Sequence, residues 1–284
     1  MGIVITTDST CDLNKDFIEE NNIRLFPIKV VLGDKTFCDG VDIIPQDIFD
    51  YAKKTGNLPK TAAGSIGEFV DFFKPDIEKG NEIIHINISS KASAVNNFAN
   101  EAAKELNGKI YVIDSKNLST GQGLLVVKAC EMVKQGLTAE EIVNKLNEIK
   151  DTINTSFVVD TLEYLHKGGR CSLMALLGSK FLMIHPFIDM VDGQLTVKKK
   201  YMGSIKMCIK HYIKDLKELY PNYDKSQCFI TNSCCDKEIV DLAKEKVSEL
   251  FDFDNVTETV AGSVITSHCG QGTLGVLFFK EQVK

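Results

Sequence analysis

Residues 2–10, GIVITTDST, place a short β-branched run directly before a cluster of hydroxyl side chains. Three consecutive β-branched residues, Ile3-Val4-Ile5, predict a buried first strand over Gly2–Thr6. The same arrangement recurs twice, because the β-rich runs Glu82–Ile88 and Lys109–Ile113 are followed by Ser-Ser and by Asp-Ser. The first half of the chain therefore predicts several strands whose carboxyl ends carry small polar side chains.

Segments with helical spacing separate these runs. The predicted helices are Leu13–Asn21, Pro45–Lys54, Gly67–Lys79, Ser93–Leu106, Ser119–Lys134 and Ala139–Ile149. A further strand is expected over Arg24–Leu32, interrupted by Pro27, and a turn at Gly33-Asp34 leads into Lys35–Phe37. Strands that alternate with helices of this length predict βαβ units, and hence an α/β fold with a mostly parallel sheet covered on both faces.

The pattern changes after about residue 155. The expected elements are a strand at Ser156–Asp160, a hairpin of Pro186–Val191 and Gln194–Lys198 around Asp192-Gly193, a helix from Ile205 to Leu219, a strand at Gln227–Thr231, a helix at Ile239–Leu250, and strands at Val256–Val260 and Val264–Thr266. A hairpin with two helix–strand units is typical of an α+β domain. We therefore expect an α/β domain over residues 1–155 and an α+β domain over residues 156–284.

Composition excludes several classes of function. The chain has 284 residues with 33 Lys+Arg against 39 Asp+Glu, and this net charge of -6 argues against a nucleic-acid or anionic-membrane partner. No apolar run approaches the roughly 18 residues of a membrane span, and the first residues lack the basic start of a secretory signal. The nine Cys are scattered without a CxxC pair, which favours a reducing cytoplasm and no zinc site.

The hydroxyl clusters are expected to meet at one site, because ligands of open parallel sheets bind outside the carboxyl ends of the strands. The clusters are Thr7–Thr10, Ser89–Ser93, and Asp114-Ser115 with Ser119. Thr61 and Ser65 are candidates to join them. Hydroxyl groups and helix N-terminal amides can together bind an anion without a buried cation. Helix capping is the alternative for any single serine, such as Ser93 or Ser119.

Three further motifs leave alternatives open. Residues 270–275, GQGTLG, match G-x-G-x-x-G, but only nine residues follow, so we reject a dinucleotide site and keep a loop that can approach a ligand beside His268. Gly168-Gly169-Arg170 fits a helix stop, with an arginine that is either solvated or clamps a carboxylate or phosphate. Ser65, in AGSIG, half resembles a nucleophile elbow, so a serine hydrolase that uses His268 stays open. No ATP phosphate loop is present.

Six of these segments, in order along nearly the whole chain, resemble motifs of the DegV family, which includes the fatty-acid-binding subunits of bacterial fatty acid kinase. The segments are residues 7–13 (TDSTCDL), 60–65 (KTAAGS), 88–93 (ISSKAS), 114–121 with its Asp-Ser, Ser119 and Gly121, 164–172 (YLHKGGRCS) and 268–272 (HCGQG). The chain departs from the family pattern at Ala62-Ala63-Gly64, at Ala94-Val95 and at Met202.

This resemblance implies two α/β-type domains that hold a long-chain fatty acid in an apolar tunnel between them. The carboxylate would be bound by Thr61 and Ser93, with His268 nearby. Arg170 would lie near the head-group opening where a kinase subunit docks, and Ser89, Ser115 and Ser119 are further candidates for head-group or partner contact. The protein would then be a carrier without catalysis, metal or cofactor, presenting the acid for acyl-phosphate formation. A sensor of another small acid is a further alternative.

Overall fold

The computed structural model describes residues 2–169 and 184–281. Its first part contains strands β1 (Ile3–Asp8), β2 (Arg24–Phe26), β3 (Lys29–Leu32), β4 (Lys35–Cys38), β5 (Lys60–Ala62), β6 (Glu82–Asn87) and β7 (Ile110–Asp114). Helices α1 (Lys15–Glu20), α2 (Pro45–Thr55), α3 (Ile66–Glu78), α4 (Val95–Glu105), α5 (Thr120–Lys134) and α6 (Ala139–Ile149) accompany them. The predicted helices are thus present, with ends that differ by a few residues.

The first sheet is parallel throughout, with the strand order β2-β1-β6-β7. Alternation along β6 sends Ile84 towards a core cluster with α5 and α6, and Ile83 towards a cluster with α3 and α4. Helices therefore cover both faces, which confirms the α/β prediction. Helix α5 is buried nearly all round because its other side packs against Leu277 and Phe279 of the second sheet.

A separate antiparallel sheet with the order β4-β3-β5 lies beside the parallel one. The single strand predicted over Arg24–Leu32 is wrong, because Pro27-Ile28 divides it into strands of two different sheets. Proline lacks the N–H that continued pairing requires. The sequence analysis also missed β5, a strand of three residues that carries Thr61.

The second part consists of a mixed sheet with helices on it. Its strands are β8 (Ile153–Asn154), β9 (Ser156–Val158), β10 (Ile184–Val191), β11 (Gln194–Met202), β12 (Cys228–Asn232), β13 (Val256–Val260) and β14 (Leu274–Phe279), and its helices are α7 (Glu163–Lys167), α8 (Ile205–Leu219), α9 (Lys237–Leu250) and α10 (Ser263–Cys269). The strand order is β11-β10-β9-β14-β12-β13, and β8 also pairs with β14. Helices α8 and α9 share an apolar cluster with the sheet. The predicted hairpin is confirmed, and it turns at Asp192-Gly193.

One prediction for this part is wrong, and one strand was not predicted. Val264–Thr266 is not a strand but the centre of α10, whose first amides are held by carboxylates from distant segments. The run that begins inside the glycine motif, at Leu274, forms β14, a central strand that the sequence analysis missed. A division of the chain at residue 155 stays a prediction. Among the helices of the described residues, none has the length and apolar character of a membrane span.

Candidate functional site

A cavity of about 410 Å³ lies between the carboxyl ends of the parallel sheet, the β4-β3-β5 sheet and the second sheet. Its apolar lining includes Ile28, Ala62, Ala63, Ile88, Ala92, Ala94, Val95, Phe98, Leu118, Phe157, Leu165, Leu195, Val264, Ile265 and Leu277. Its polar lining is formed by Thr10, Thr61, Ser93, Ser119, Ser156, Thr231, Asn232, Ser233, His268 and Thr273. Of the described lining residues, none is Asp, Glu, Lys or Arg. Such a cavity has the size and mostly apolar character of a small-molecule site.

Thr61 and His268 form a polar pair in the wall of this cavity. The Thr61 Oγ1 lies 2.8 Å from the His268 Nε2. If the imidazole carries its proton on Nε2, it donates to Thr61 and leaves the threonine hydrogen for a ligand. The two residues come from different parts of the fold, since Thr61 belongs to β5 and His268 to α10.

Ser93 lies in a tight turn between β6 and α4. The Ser89 carbonyl accepts from the backbone N–H groups of Ala92 and Ser93, at 2.9 and 3.1 Å. The Ser93 hydroxyl accepts a weak hydrogen bond of 3.4 Å from the Val95 N–H. Within the described part of the chain no acceptor takes the Ser93 hydroxyl hydrogen, so this group can donate to a bound ligand.

Ser119 lines the cavity in a strained conformation at the start of α5. Its backbone angles are φ 53° and ψ −144°, a region that residues with a side chain rarely adopt. The Ser119 hydroxyl donates to Asp12 Oδ2 at 2.5 Å, and the Gly262 N–H donates to Asp12 Oδ1 at 2.8 Å. Asp12 thereby connects the first motif of the chain to the helices that carry Ser119 and His268.

Asp39 makes a second connection to the same helix. It accepts from the Ser263 N–H at 2.7 Å and from the Ser9 hydroxyl at 2.9 Å. Desolvation by burial raises the pKa of Asp39 and of Asp12, and hydrogen bonds to these carboxyl groups partly oppose the shift. Both acids therefore hold α10 from its N-terminal end, where partial positive charge favours them.

Two glycines allow close packing around His268. A Cβ at Gly168 would lie 2.5 Å from His268 Nδ1, so an alanine at this position would displace the ring. Gly270 has φ +78°, and its Cβ would come within 2.8 Å of the Tyr164 ring. The G-x-G-x-x-G segment joins helix α10 to strand β14, which is the reverse of the strand-to-helix order of a dinucleotide unit.

The structure brings together Thr61, Ser93, Ser119 and His268 around one cavity. Ser89 and Ser115 are buried behind this wall, where their hydroxyls donate to the carbonyls of Gly193 and Asn117 at 2.7 and 3.1 Å. Arg170 lies outside the described residues.

Ser65 is not a lining residue. It is the N-cap of α3, and its hydroxyl exchanges hydrogen bonds with the Glu68 backbone and carboxylate. The sequence analysis missed the polar residues of the second sheet that line the cavity, such as Thr231 and Ser156. Their strands give no local sign of a ligand, and only the pairing of β9, β14 and β12 brings them together.

Comparison with known proteins gives one consistent family. A family model described as "Uncharacterised protein, DegV family" matches residues 2–281. A DegV domain-containing protein of Staphylococcus aureus is 31% identical over 278 residues, which cover 98% of this chain and 99% of that protein.

Solved structures agree with this family assignment. A DegV family protein from Thermus thermophilus, described by its fatty acid binding, matches with a TM-score of 0.91 and 26% identity over 98% of this chain and 99% of that chain. A stearic acid-binding protein from Eubacterium ventriosum matches with a TM-score of 0.83 and 26% identity over 99% of both chains. With a family model that spans nearly its full length, the chain belongs to the DegV family.

Proposed function

We propose that this protein binds a long-chain fatty acid in the cavity, with the carboxylate held by Thr61, Ser93 and His268. The observation that carries the proposal is the hydrogen-bonded Thr61–His268 pair in the wall of a cavity that is otherwise mostly apolar. Relatives from Thermus thermophilus and Eubacterium ventriosum, described as binding fatty acid, support the choice of ligand.

The chemistry of the lining fits an amphipathic acid. An alkyl chain gains about 0.8 kcal/mol for each CH₂ group that it buries, so the tail supplies most of the affinity. Charge-assisted hydrogen bonds from hydroxyl donors are about twice as strong as neutral ones, and they orient the carboxylate, while the His268 imidazole bonds to the Thr61 hydroxyl. The donors at Thr61 and Ser93 hold the head group without requiring a buried cation.

We assign the protein the role of a carrier. A serine hydrolase needs a serine within hydrogen-bond reach of its histidine, whereas Ser65 is bonded to Glu68 and the His268 Nε2 is bonded to Thr61. A fluorophosphonate probe tests this alternative, because a serine that lacks a base should not be labelled. A sensor of another acid is tested by competition between small acids and a fluorescent fatty acid.

We further propose that the carrier presents its acid to a kinase subunit in the cytoplasm. The family resemblance supports the kinase, and the eight cysteines of the described residues, all free thiols, fit a reducing compartment. Mixing the lipid-loaded protein with a fatty acid kinase catalytic subunit and ATP should give acyl-phosphate. Failure to form it with lipid bound would leave a carrier that serves another pathway.

The direct test of lipid binding is denaturing organic extraction of the purified protein followed by mass spectrometry. We expect a long-chain fatty acid in near-stoichiometric amount. If none is recovered, even after incubation with a mixed fatty-acid pool, the proposal is wrong, and other small acids become the candidates. The departures from the family motifs at Ala62-Ala63-Gly64 and Ala94-Val95 would then explain why the ligand differs from a fatty acid.

A further inference from the structure

The tip of the β10–β11 hairpin contacts the turn that carries Ser93. The Ser89 hydroxyl is buried and donates to the Gly193 carbonyl at 2.7 Å. The same Ser89 oxygen accepts from the Lys91 N–H at 3.2 Å. A carbonyl from the second sheet therefore fixes the orientation of a hydroxyl group that organises the turn after β6.

The turn transmits this constraint to Ser93. The Ser89 carbonyl accepts from the Ser93 N–H at 3.1 Å, and the Ser89 N–H donates to the Asn117 carbonyl at 2.8 Å. Ser89 thus forms hydrogen bonds through its hydroxyl, its N–H and its carbonyl. Ser93 lies at the end of the turn that the Ser89 carbonyl closes. Only three residues separate Ser89 from the proposed head-group contact at Ser93, so a shift of the Ser89 hydroxyl has to be accommodated within them.

Charged side chains hold the hairpin tip in place from outside. Lys91 Nζ lies 2.6 Å from one Asp192 oxygen, and Lys116 Nζ lies 3.5 Å from the other. These pairs are partly exposed and screened by solvent, so each stabilises the contact only weakly. The buried bond between Ser89 and Gly193 is therefore the stronger part of the contact, and the ion pairs align the tip over it.

The backbone at the tip leaves no room for a side chain. Gly193 has φ +78°, and a Cβ at this position would lie 2.7 Å from the Ser89 Oγ. Glycine at 193 is thus required by the positive φ of the turn and by the close approach of the serine. The strand that follows contributes Leu195 to the cavity wall, so the tip and the cavity belong to one packed unit.

We infer that Ser89 and the Asp192-Gly193 tip are positioning residues that set the orientation of the Ser93 hydroxyl towards the ligand carboxylate. The inference rests on the proposed function. It assigns to Ser89 and to the hairpin a role in head-group selection, whereas a merely structural contact would affect all ligands equally.

The test uses Ser89→Ala and Gly193→Ala in the full chain, with stearic acid and 1-octadecanol as probes that displace a fluorescent fatty acid. Each variant should bind stearic acid about tenfold more weakly and octadecanol less than threefold more weakly. The ratio of the two dissociation constants is independent of the folded fraction, so partial unfolding does not imitate the effect. Because Ser89→Ala removes the hydroxyl oxygen that the new Cβ of Gly193→Ala would meet, the double variant should bind no worse than Gly193→Ala, although the strain of the positive φ remains in both.

Ser90→Ala is the matched control, because this neighbouring hydroxyl bonds to Asp114 and not to the hairpin. It should leave the ratio unchanged. If both test variants leave this ratio unchanged, because the acid and the alcohol lose affinity equally or not at all, the positioning role is wrong while lipid binding stands. If the unaltered protein binds neither probe, the proposed function and the inference built on it both fail.

Discussion

The Thr61 hydroxyl oxygen and the His268 Nε2 lie 2.8 Å apart, although 207 positions separate them in the chain. This contact joins a short edge strand of the first part to a helix of the second part. It depends on Asp12 and Asp39, which accept from the first amides of the helix that presents His268. The proposed head-group site therefore depends on how the two parts of the chain meet.

Replacing Thr61 with valine should weaken fatty-acid binding selectively. Valine keeps the branched shape of threonine but removes the hydroxyl that we propose to donate to the carboxylate. Loss of a hydrogen bond to a charged group costs about 1.5–3 kcal/mol, so the dissociation constant of stearic acid should rise about ten- to a hundredfold. Displacement of a fluorescent fatty acid by stearic acid measures this dissociation constant.

Octadecanol binding should change less than threefold in Thr61→Val. Thr36→Val is a control, because Thr36 is exposed on β4 and does not line the cavity. Equal losses for the acid and the alcohol would contradict the head-group role of Thr61. Combining Ser93→Ala with Thr61→Val should enlarge the difference between the affinity lost for the acid and the affinity lost for the alcohol.

Replacing Gly168 with alanine should displace the His268 ring. The added Cβ would lie 2.5 Å from Nδ1 and 2.9 Å from the Tyr164 carbonyl oxygen, whereas the φ of this residue, −73°, imposes no penalty of its own. We therefore expect at least a tenfold loss of fatty-acid affinity, together with a small shift at the end of α7. Gly67→Ala is the control, since a Cβ there meets nothing within 4 Å and should be neutral or slightly stabilising. Unchanged affinity in Gly168→Ala would show that the ring position is not required.

Asp12 should act through hydrogen-bond acceptance more than through charge. In Asp12→Ala the Gly262 N–H and the Ser119 hydroxyl lose their acceptor, which should reduce the free energy of unfolding by about 2–4 kcal/mol. Asp12→Asn keeps one acceptor oxygen and tolerates the left-handed conformation at this position, φ 50°, so it should lose less than half as much. Denaturant unfolding measures both.

Asp16→Ala is the control for this series, because Asp16 is exposed in the first turn of α1. It should change the free energy of unfolding by less than about 1 kcal/mol. If Asp12→Asn proves as destabilising as Asp12→Ala, a negative charge is required at this position. That result would contradict the argument that hydrogen-bond acceptance is the main role of Asp12.

The parallel sheet was predictable because its signals are local. β-branched runs such as Ile3-Val4-Ile5 specify strands, and the polar residues after them indicate the edge at which we propose that the ligand binds. Helix α10 was not predictable from its own residues, since Val264-Ile265-Thr266 favours a strand. Its amides are held by Asp39 and Asp12, which lie 224 and 250 positions away in the chain. Tertiary partners thus override the local preference.

Strand β14 was not predictable from its own residues either, because its glycine serves a contact with another strand. Gly275 lowers the strand preference of its run, yet a Cβ there would lie 2.8 Å from the Ser156 carbonyl oxygen. The glycine permits close pairing of β14 with β9, and this pairing becomes visible only after both strands are placed. The lining residues of the second sheet could not be assigned before that step.

His85 should make the stability of the first part depend on pH. The ring is fully buried beside Phe69, Phe72 and Phe73, and its Nδ1 lies 2.9 Å from the Thr6 hydroxyl. Desolvation by burial lowers the pKa of His85 to about 3, against an ordinary value near 6.5. The unfolded chain therefore binds the proton first, so this contribution is complete above about pH 6.5 and is lost as the pH falls towards 3.

The variant His85→Gln isolates this effect, because glutamine keeps a polar partner for Thr6 and does not titrate. Between pH 7.5 and pH 4.5 the unaltered protein should lose about 2–3 kcal/mol more free energy of unfolding than the variant. Burial raises the pKa of Asp8, Asp12 and Asp39, which acts in the opposite direction, but these acids are common to both proteins and cancel in the difference. His211→Gln, at an exposed position on α8, is the control, and its free energy of unfolding should depend on pH as that of the unaltered protein does. Parallel pH profiles for the unaltered protein and His85→Gln would mean that the buried ring accepts a proton in the folded state.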